Sequence, residues 1–168
     1  MKILVLRYRF IGDTILTVPF LRNLKRAYPG GKIDMVVAPY SSDVLIGNPY
    51  VDEFIVYDPP TIHADSRGQH NTLKSKYQFI RSLRKKQYDK AYVLKRSLSS
   101  ALIAFLSGAK ERVGFDTEKR GFLLTKRVPY YHDRHEVTNF LSILEADGIP
   151  VADDYLEAWL SDGETTWA

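Results

Sequence analysis

Two short stretches of this chain carry the residue types that chemistry requires. In Ile11-Gly12-Asp13-Thr14 a glycine stands directly before a carboxylate. Glycine allows a ligand to approach the backbone closely, and an acid at the start of a helix is favoured by the positive end of the helix dipole. A carboxylate placed there can take the proton of a hydroxyl as that oxygen attacks an electrophile. The same aspartate also reads as a plain helix N-cap, and spacing alone leaves both roles open. The second stretch is Lys95-Arg96-Ser97, with Ser99 and Ser100 just beyond it. Cations beside a carboxylate suit a hydroxylated substrate that is itself anionic. The alternative for the pair is a solvated strand end; the serines fit either an anion site at a helix start or ordinary capping. His132 and His135 have a spacing open to a metal, but no clear third ligand accompanies them, and polar surface is the simpler reading. The sequence contains no P-loop, no GxGxxG turn and no GxSxG nucleophile elbow, which argues against an NTPase, a nicotinamide enzyme and a serine hydrolase.

For these residues to act together, the elements around them must bring them to one edge. Ile3-Leu4-Val5-Leu6 is an apolar run suited to a strand buried on both faces, and Arg7 to Arg9 form a polar turn after it. A helical pattern then runs to about Tyr28, with Ile15, Val18, Leu21 and Leu24 on one face and a kink expected at Pro19. Further strands are predicted at Ile33–Ala38, Glu53–Tyr57, Tyr88–Leu94, Arg112–Gly114 and Lys126–Tyr130. Further helices are predicted at Thr72–Lys86, along a stripe of Leu73, Tyr77, Ile80 and Leu83 or Arg84, at Leu98–Ser107 and at Arg134–Asp147. Asp58 to Asn71 reads as a long, mobile polar loop. This alternation predicts an α/β fold: a Rossmann-like parallel sheet with helices on both faces. In such a sheet the ends of the first and fourth strands share an edge, so Asp13 and Lys95-Arg96 should line one cleft.

Composition sets the outer bounds. The 168 residues can bury one core, and a 45% hydrophobic, 26% charged composition is that of an ordinary globular protein. No cysteine is present, which removes disulfides and thiolate metal sites from consideration and suits a reducing, cytoplasmic setting. No apolar run approaches the roughly 20 residues of a membrane span. The net charge of +4 is unevenly spread: Lys74 to Lys90 holds seven Lys and Arg against one acid, Asp89. Such a helix can either be solvated on its basic face or rest near an anionic membrane surface. Val151 to Ala168 is the reverse, with five acids and no Lys or Arg.

IGDTILTVP followed by LRNLKRAYPGGKIDMVV, then LSSALIAFLSGAKERVGF, then HEVTNFLSILEADGI, resemble in order the segments of glycosyltransferase family 9, the ADP-heptose:lipopolysaccharide heptosyltransferases. The resemblance implies the N-terminal half of a two-domain GT-B enzyme that moves a heptose from ADP-heptose to an acceptor with inversion. It implies that Asp13 is the general base, and that Gly12, Arg9, Lys95, Arg96, Ser97 and Arg120 form the acceptor side. That acceptor would be a lipid-linked or phosphorylated saccharide, gripped through forked, charge-assisted bonds. Residues 1–150 would be the acceptor-binding domain, and 151–168 an acidic linker towards a donor domain that this chain does not contain. Leu156, Trp159, Leu160 and Trp167 should then be partly exposed. No cofactor, metal or nucleic acid is called for; the protein would be cytoplasmic, with a peripheral contact on the inner face of the membrane. Arg7-Tyr8-Arg9-Phe10 departs from the small polar residues common at this place in the family, which leaves the acceptor open. The competing reading is a non-catalytic α/β module binding an anionic ligand, with Asp13 as a cap.

Overall fold

The computed structural model describes residues 1–8, 10–39, 41–59 and 68–159. Strands β1 (Lys2–Leu6), β2 (Lys32–Val37), β3 (Glu53–Val56), β4 (Lys90–Val93), β5 (Glu111–Phe115) and β6 (Lys126–Val128) form one sheet in the order β3-β2-β1-β4-β5-β6. Every neighbouring pair is parallel. Helices α1 (Ile11–Ile15), α2 (Val18–Ala27), α3 (Leu73–Lys86), α4 (Leu98–Leu106) and α5 (Glu136–Ala146) connect them. The strand order reverses at β1, which lies between β2 and β4, and open parallel sheets place their ligands at the carboxyl edge of such a switch point. Leu6 stands opposite both Val36 and Val93, so the central strands end together.

The alternation of β1 separates two cores. Ile3 and Val5 face a core built with Phe20 and Leu24 of α2 and Phe140 and Leu144 of α5. Leu4 and Leu6 face the other, with Phe79 and Leu83 of α3 and Ala101 and Ala104 of α4. Both faces are therefore covered, as a central β-branched and leucine-rich parallel strand requires.

Several local expectations are revised. The first helix does not run on to Tyr28 with a kink; it breaks at Leu16-Thr17 into α1 and α2. Pro19 falls in the first turn of α2, where its missing N–H removes no helical bond. On α3, Phe79 and Leu83 are buried, whereas Leu73 and Tyr77 point outward. Thr72 caps α3 reciprocally with Ser75, at 3.0 Å between Ser75 N and Thr72 Oγ1. Residues 60–67 of the polar loop lie outside the described residues, while its ends meet: His70 N donates to Asp58 O at 2.9 Å.

The acidic segment 151–159 folds back along α2. Buried Arg22 donates to Glu157 at 2.8 Å, to the Tyr155 carbonyl at 2.7 Å and to Asp153, which Arg26 also engages. Leu156 is exposed, and Trp159, half-buried, packs edge-on against Tyr50 beside the first core. Leu160 and Trp167 lie outside the described residues.

Candidate functional site

The carboxyl edge of the sheet gathers the ends of β1, β4, β5 and β6. Asp13 is not the cap of α1; Phe10 holds that position with no side-chain capping bond, and Asp13 lies in the first turn. Its carboxylate pairs instead with Arg7, the first residue past β1, at 2.7 Å between Arg7 Nη2 and Asp13 Oδ2. Arg7 is 9% exposed and Asp13 32%, so the cation is enclosed and the carboxylate has an open side. The same guanidinium reaches Glu136 Oε1 at 3.4 Å and the Leu94 carbonyl at 3.5 Å, and lies over the Phe140 ring at 5.1 Å. Glu136 in turn accepts a 2.8 Å bond from the Tyr130 hydroxyl. A Cβ added at Gly12 would meet nothing within 4 Å, so the space beside Asp13 is open on the glycine side as well.

Lys95 and Arg96 share this edge; Lys95 N donates to Leu6 O at 3.2 Å, across the ends of β4 and β1. Each cation rests on an aromatic face: Lys95 Nζ is 4.0 Å from the centre of the Tyr8 ring, and Arg96 is 4.1 Å from that of Tyr130. Such contacts help to hold the cationic side chains in place. Burial pushes the Tyr8 hydroxyl up to about 12, so that ring remains neutral beneath Lys95. Arg9 lies outside the described residues.

Arg120 and Ser97 take a different part from surface gripping. Arg120 is fully buried. Its guanidinium donates to the Phe115 carbonyl at 2.9 Å, the Ser97 carbonyl at 2.8 Å, Ser100 Oγ at 3.0 Å and the Lys95 carbonyl. Burial lowers its pKa to about 10, which still leaves it charged at neutral pH. Arg120 thus ties the loop carrying Lys95, Arg96 and Ser97 to the end of β5. Ser97 is the N-cap residue of α4 but makes no capping bond. Glu118 supplies that function, accepting from Leu98 N at 2.8 Å. Glu118 and Lys119 reach this position in the left-handed region, at φ 50° and 55°, where residues other than glycine are strained. The helix start that the serines mark therefore already holds a carboxylate.

His135 caps α5 through Nδ1, which accepts from Val137 N at 3.3 Å, and His132 packs edge-on against Tyr130. Among the described residues no group of three His, Cys, Asp or Glu could hold a metal ion.

The structure brings Asp13, Lys95 and Arg96 to one edge, but the direct partner of Asp13 is Arg7. Arg7, Glu136, Tyr130 and Tyr8 are the residues that sequence reasoning passed over. The signal for Arg7 was present, since it follows a buried strand as Lys95 does. Glu136 could be assigned only once the start of α5 was seen to reach Arg7 at the end of β1.

Comparison with known proteins follows the same lines. The model of glycosyltransferase family 9 (heptosyltransferase) matches residues 76–164. Lipopolysaccharide heptosyltransferase 2 of Escherichia coli K12 is 36% identical over 125 residues, covering 74% of this chain and 34% of the relative. Lipooligosaccharide heptosyltransferase 2 of Haemophilus ducreyi is 30% identical over 165 residues, covering 94% of this chain and 45% of the relative. Among solved structures, a family 9 glycosyl transferase from Veillonella parvula superposes with a TM-score of 0.82 at 25% identity, over 96% of this chain and 46% of that one. E. coli ADP-heptose lps heptosyltransferase II gives a TM-score of 0.79 at 25% identity, over 99% and 49%. The chain spans between a third and a half of the length of these relatives.

Proposed function

This chain belongs to glycosyltransferase family 9, its fold being that of the N-terminal Rossmann-like half of a GT-B glycosyltransferase, and we propose that it is the acceptor-side half of an inverting heptosyltransferase. The observation that carries the reading is the Asp13 carboxylate, clamped from behind by enclosed Arg7 and open towards the space beside Gly12. In this reading Asp13 takes the proton of an acceptor hydroxyl while that oxygen attacks the anomeric carbon of ADP-heptose. The bond to the nucleotide breaks on the opposite side, and the anomeric centre inverts. Arg7 holds the carboxylate in one orientation, so that close placement lowers the barrier. Glu136 offers the same guanidinium a second carboxylate, which keeps the charge of Arg7 compensated when Asp13 gains a proton.

The acceptor is an anionic saccharide, lipid-linked or phosphorylated, met by Lys95 and Arg96 and by Arg9. Arg120 and Ser97 shape the loop that presents the first two. The donor binds through the half of the enzyme that corresponds to the remainder of the relatives. A lipid-linked acceptor places the protein peripherally on the inner face of the cytoplasmic membrane. Family membership favours this over a non-catalytic binding module, and the pairing of Asp13 with Arg7 removes the cap on which that module reading relied.

The test is Asp13→Asn. A part-exposed ion pair is lost, so stability should change by no more than about 1 kcal/mol. Heptose transfer from ADP-heptose, measured in the full-length protein, should fall by about a hundredfold or more. Transfer at the unmodified rate would refute the assignment.

A further inference from the structure

We propose that the outer face formed by α3 and α4 seats the protein on an anionic lipid bilayer. The inference deepens the peripheral placement above by naming the face. Leu98, Leu102, Phe105 and Leu106 follow the i, i+4, i+7, i+8 spacing of one helical face and are 44%, 43%, 47% and 37% exposed. Phe122, on the turn packed against α4, is 72% exposed, and Tyr77 of α3 is 66% exposed. Single exposed apolar residues need no explanation, but a stripe continued by its neighbours marks a surface meant to be covered.

The charge beside the stripe says what covers it. Helix α3 contains no acid, and its Lys74, Arg81, Arg84 and Lys85 are exposed. Lys76 is half-buried, and Lys86 is turned inward to Asp34 at 2.9 Å and Glu53 at 2.6 Å. Arg84 reaches the end of α4, where its Cγ would lie 3.7 Å from a Cβ at Gly108, and the Arg112 guanidinium lies 5.4 Å from the centre of the Phe105 ring. Glu118 sits at the Leu98 end of the strip, whereas the α3 side and the Phe105 end carry Lys and Arg; an apolar strip flanked by cations in this way is the pattern of an interfacial surface, with side chains entering the acyl boundary and cations meeting lipid phosphates. A second copy fits poorly, because a two-fold contact over this face would set the cations of one α3 near those of the other. Because α4 runs back across the sheet, its stripe begins at Leu98 beside the cleft and ends at the opposite edge. A bilayer on this face lies alongside the cleft mouth, within reach of a lipid-linked acceptor.

The experiment is co-sedimentation of the 168-residue chain with phosphatidylglycerol/phosphatidylcholine vesicles and with pure phosphatidylcholine vesicles, at low salt. The chain should partition to the anionic vesicles at least about tenfold more strongly than to the neutral ones. The double variant Leu102→Asn/Phe105→Asn, and separately the triple variant Arg81→Gln/Arg84→Gln/Lys85→Gln, should each lower that partition about tenfold or more, with thermal unfolding unchanged. No binding to anionic vesicles, or binding that neither variant weakens, overturns the proposal. So does a concentration-dependent dimer that the Leu102/Phe105 variant abolishes, since a second copy would then be the occupant. Sugar transfer is not read, so failure here is distinct from failure of the Asp13 test.

Discussion

Arg7 and Asp13 illustrate how one long-range contact changes the meaning of a residue. An acid in the first turn of a helix is ordinary; an acid held at 2.7 Å by an arginine that is itself enclosed has a fixed direction. Arg7→Lys keeps the charge but loses the fork that spans Asp13, Glu136 and the Leu94 carbonyl. Its expected effect on the full-length protein is a fall of about tenfold or more in kcat with little change in KM, because geometry and not acceptor binding is disturbed. A larger effect on KM than on kcat would place Arg7 on the acceptor instead. Asp147 is the other acid whose surroundings decide its behaviour. Burial alone would raise its pKa, but bonds from Lys90 (2.6 Å), Lys126 (2.9 Å) and Tyr92 (2.7 Å) outweigh burial and hold the carboxyl below the usual range. A carboxyl with a depressed folded-state pKa contributes stability that is complete above its unfolded value, near 3.9, and is lost as pH falls through the folded value. Urea unfolding midpoints should therefore drop below about pH 4. Asp147→Asn should remove part of that slope, and at neutral pH should cost about 3 kcal/mol by leaving Lys90 enclosed with, among the described residues, Glu111 as its remaining ion-pair partner.

At the scale of elements, the contacts between strands and the docking of 151–159 are the most sensitive points. Gly114 stands in β5 where an added Cβ would lie 2.9 Å from both the Cβ and the carbonyl oxygen of Val93 in the adjacent β4. The carbonyl belongs to the backbone and cannot move aside cheaply. Gly114→Ala should destabilise the chain by about 1–3 kcal/mol, read as a lower denaturant midpoint. The acidic segment 151–159 is held by Arg22, which is 1% exposed, and by Asn23, whose Oδ1 accepts from Ala152 N at 2.8 Å. Arg22→Met should free the segment, and the Ala152 amide should exchange hydrogen faster while amides of β1 and β4 stay protected. Unchanged exchange at Ala152 would show that Asn23 and Trp159 suffice.

At the scale of the whole molecule, the sheet is covered on both faces by helices drawn entirely from this chain, with a core on each side. Residues 1–168 should therefore unfold in one cooperative transition as an isolated chain. In the proposed reading the edge at Asp13 belongs to the acceptor, and the nucleotide belongs to the other half of the enzyme. Calorimetric titration with ADP should accordingly give no saturable heat. Binding at micromolar concentration would move the donor to the Asp13 edge and reverse the assignment of the two halves.

Local pattern was enough to place all six strands in their sequence positions, because a run such as Ile3–Leu6 or Tyr88–Leu94 carries its own signature of two-sided burial. The parallel order, and the meeting of the ends of β1 and β4, followed from alternation of strands with helices. What the pattern could not reveal was the choice of partner. Arg7 and Glu136 are 129 positions apart, and Arg22 and Asp153 are 131 apart. No periodicity encodes such pairs; they exist because the start of α5 comes back to the end of β1, and the segment after α5 comes back to α2. The resemblance puts Arg120 on the acceptor side, and only the tertiary structure reveals the carbonyls that hold it, fully buried, behind the loop of Lys95 and Ser97. Conversely, Leu73 and Tyr77 were read as core. A helix with apolar residues on more than one side can bury only the side that the sheet meets, and for α3 that side is Phe79 and Leu83.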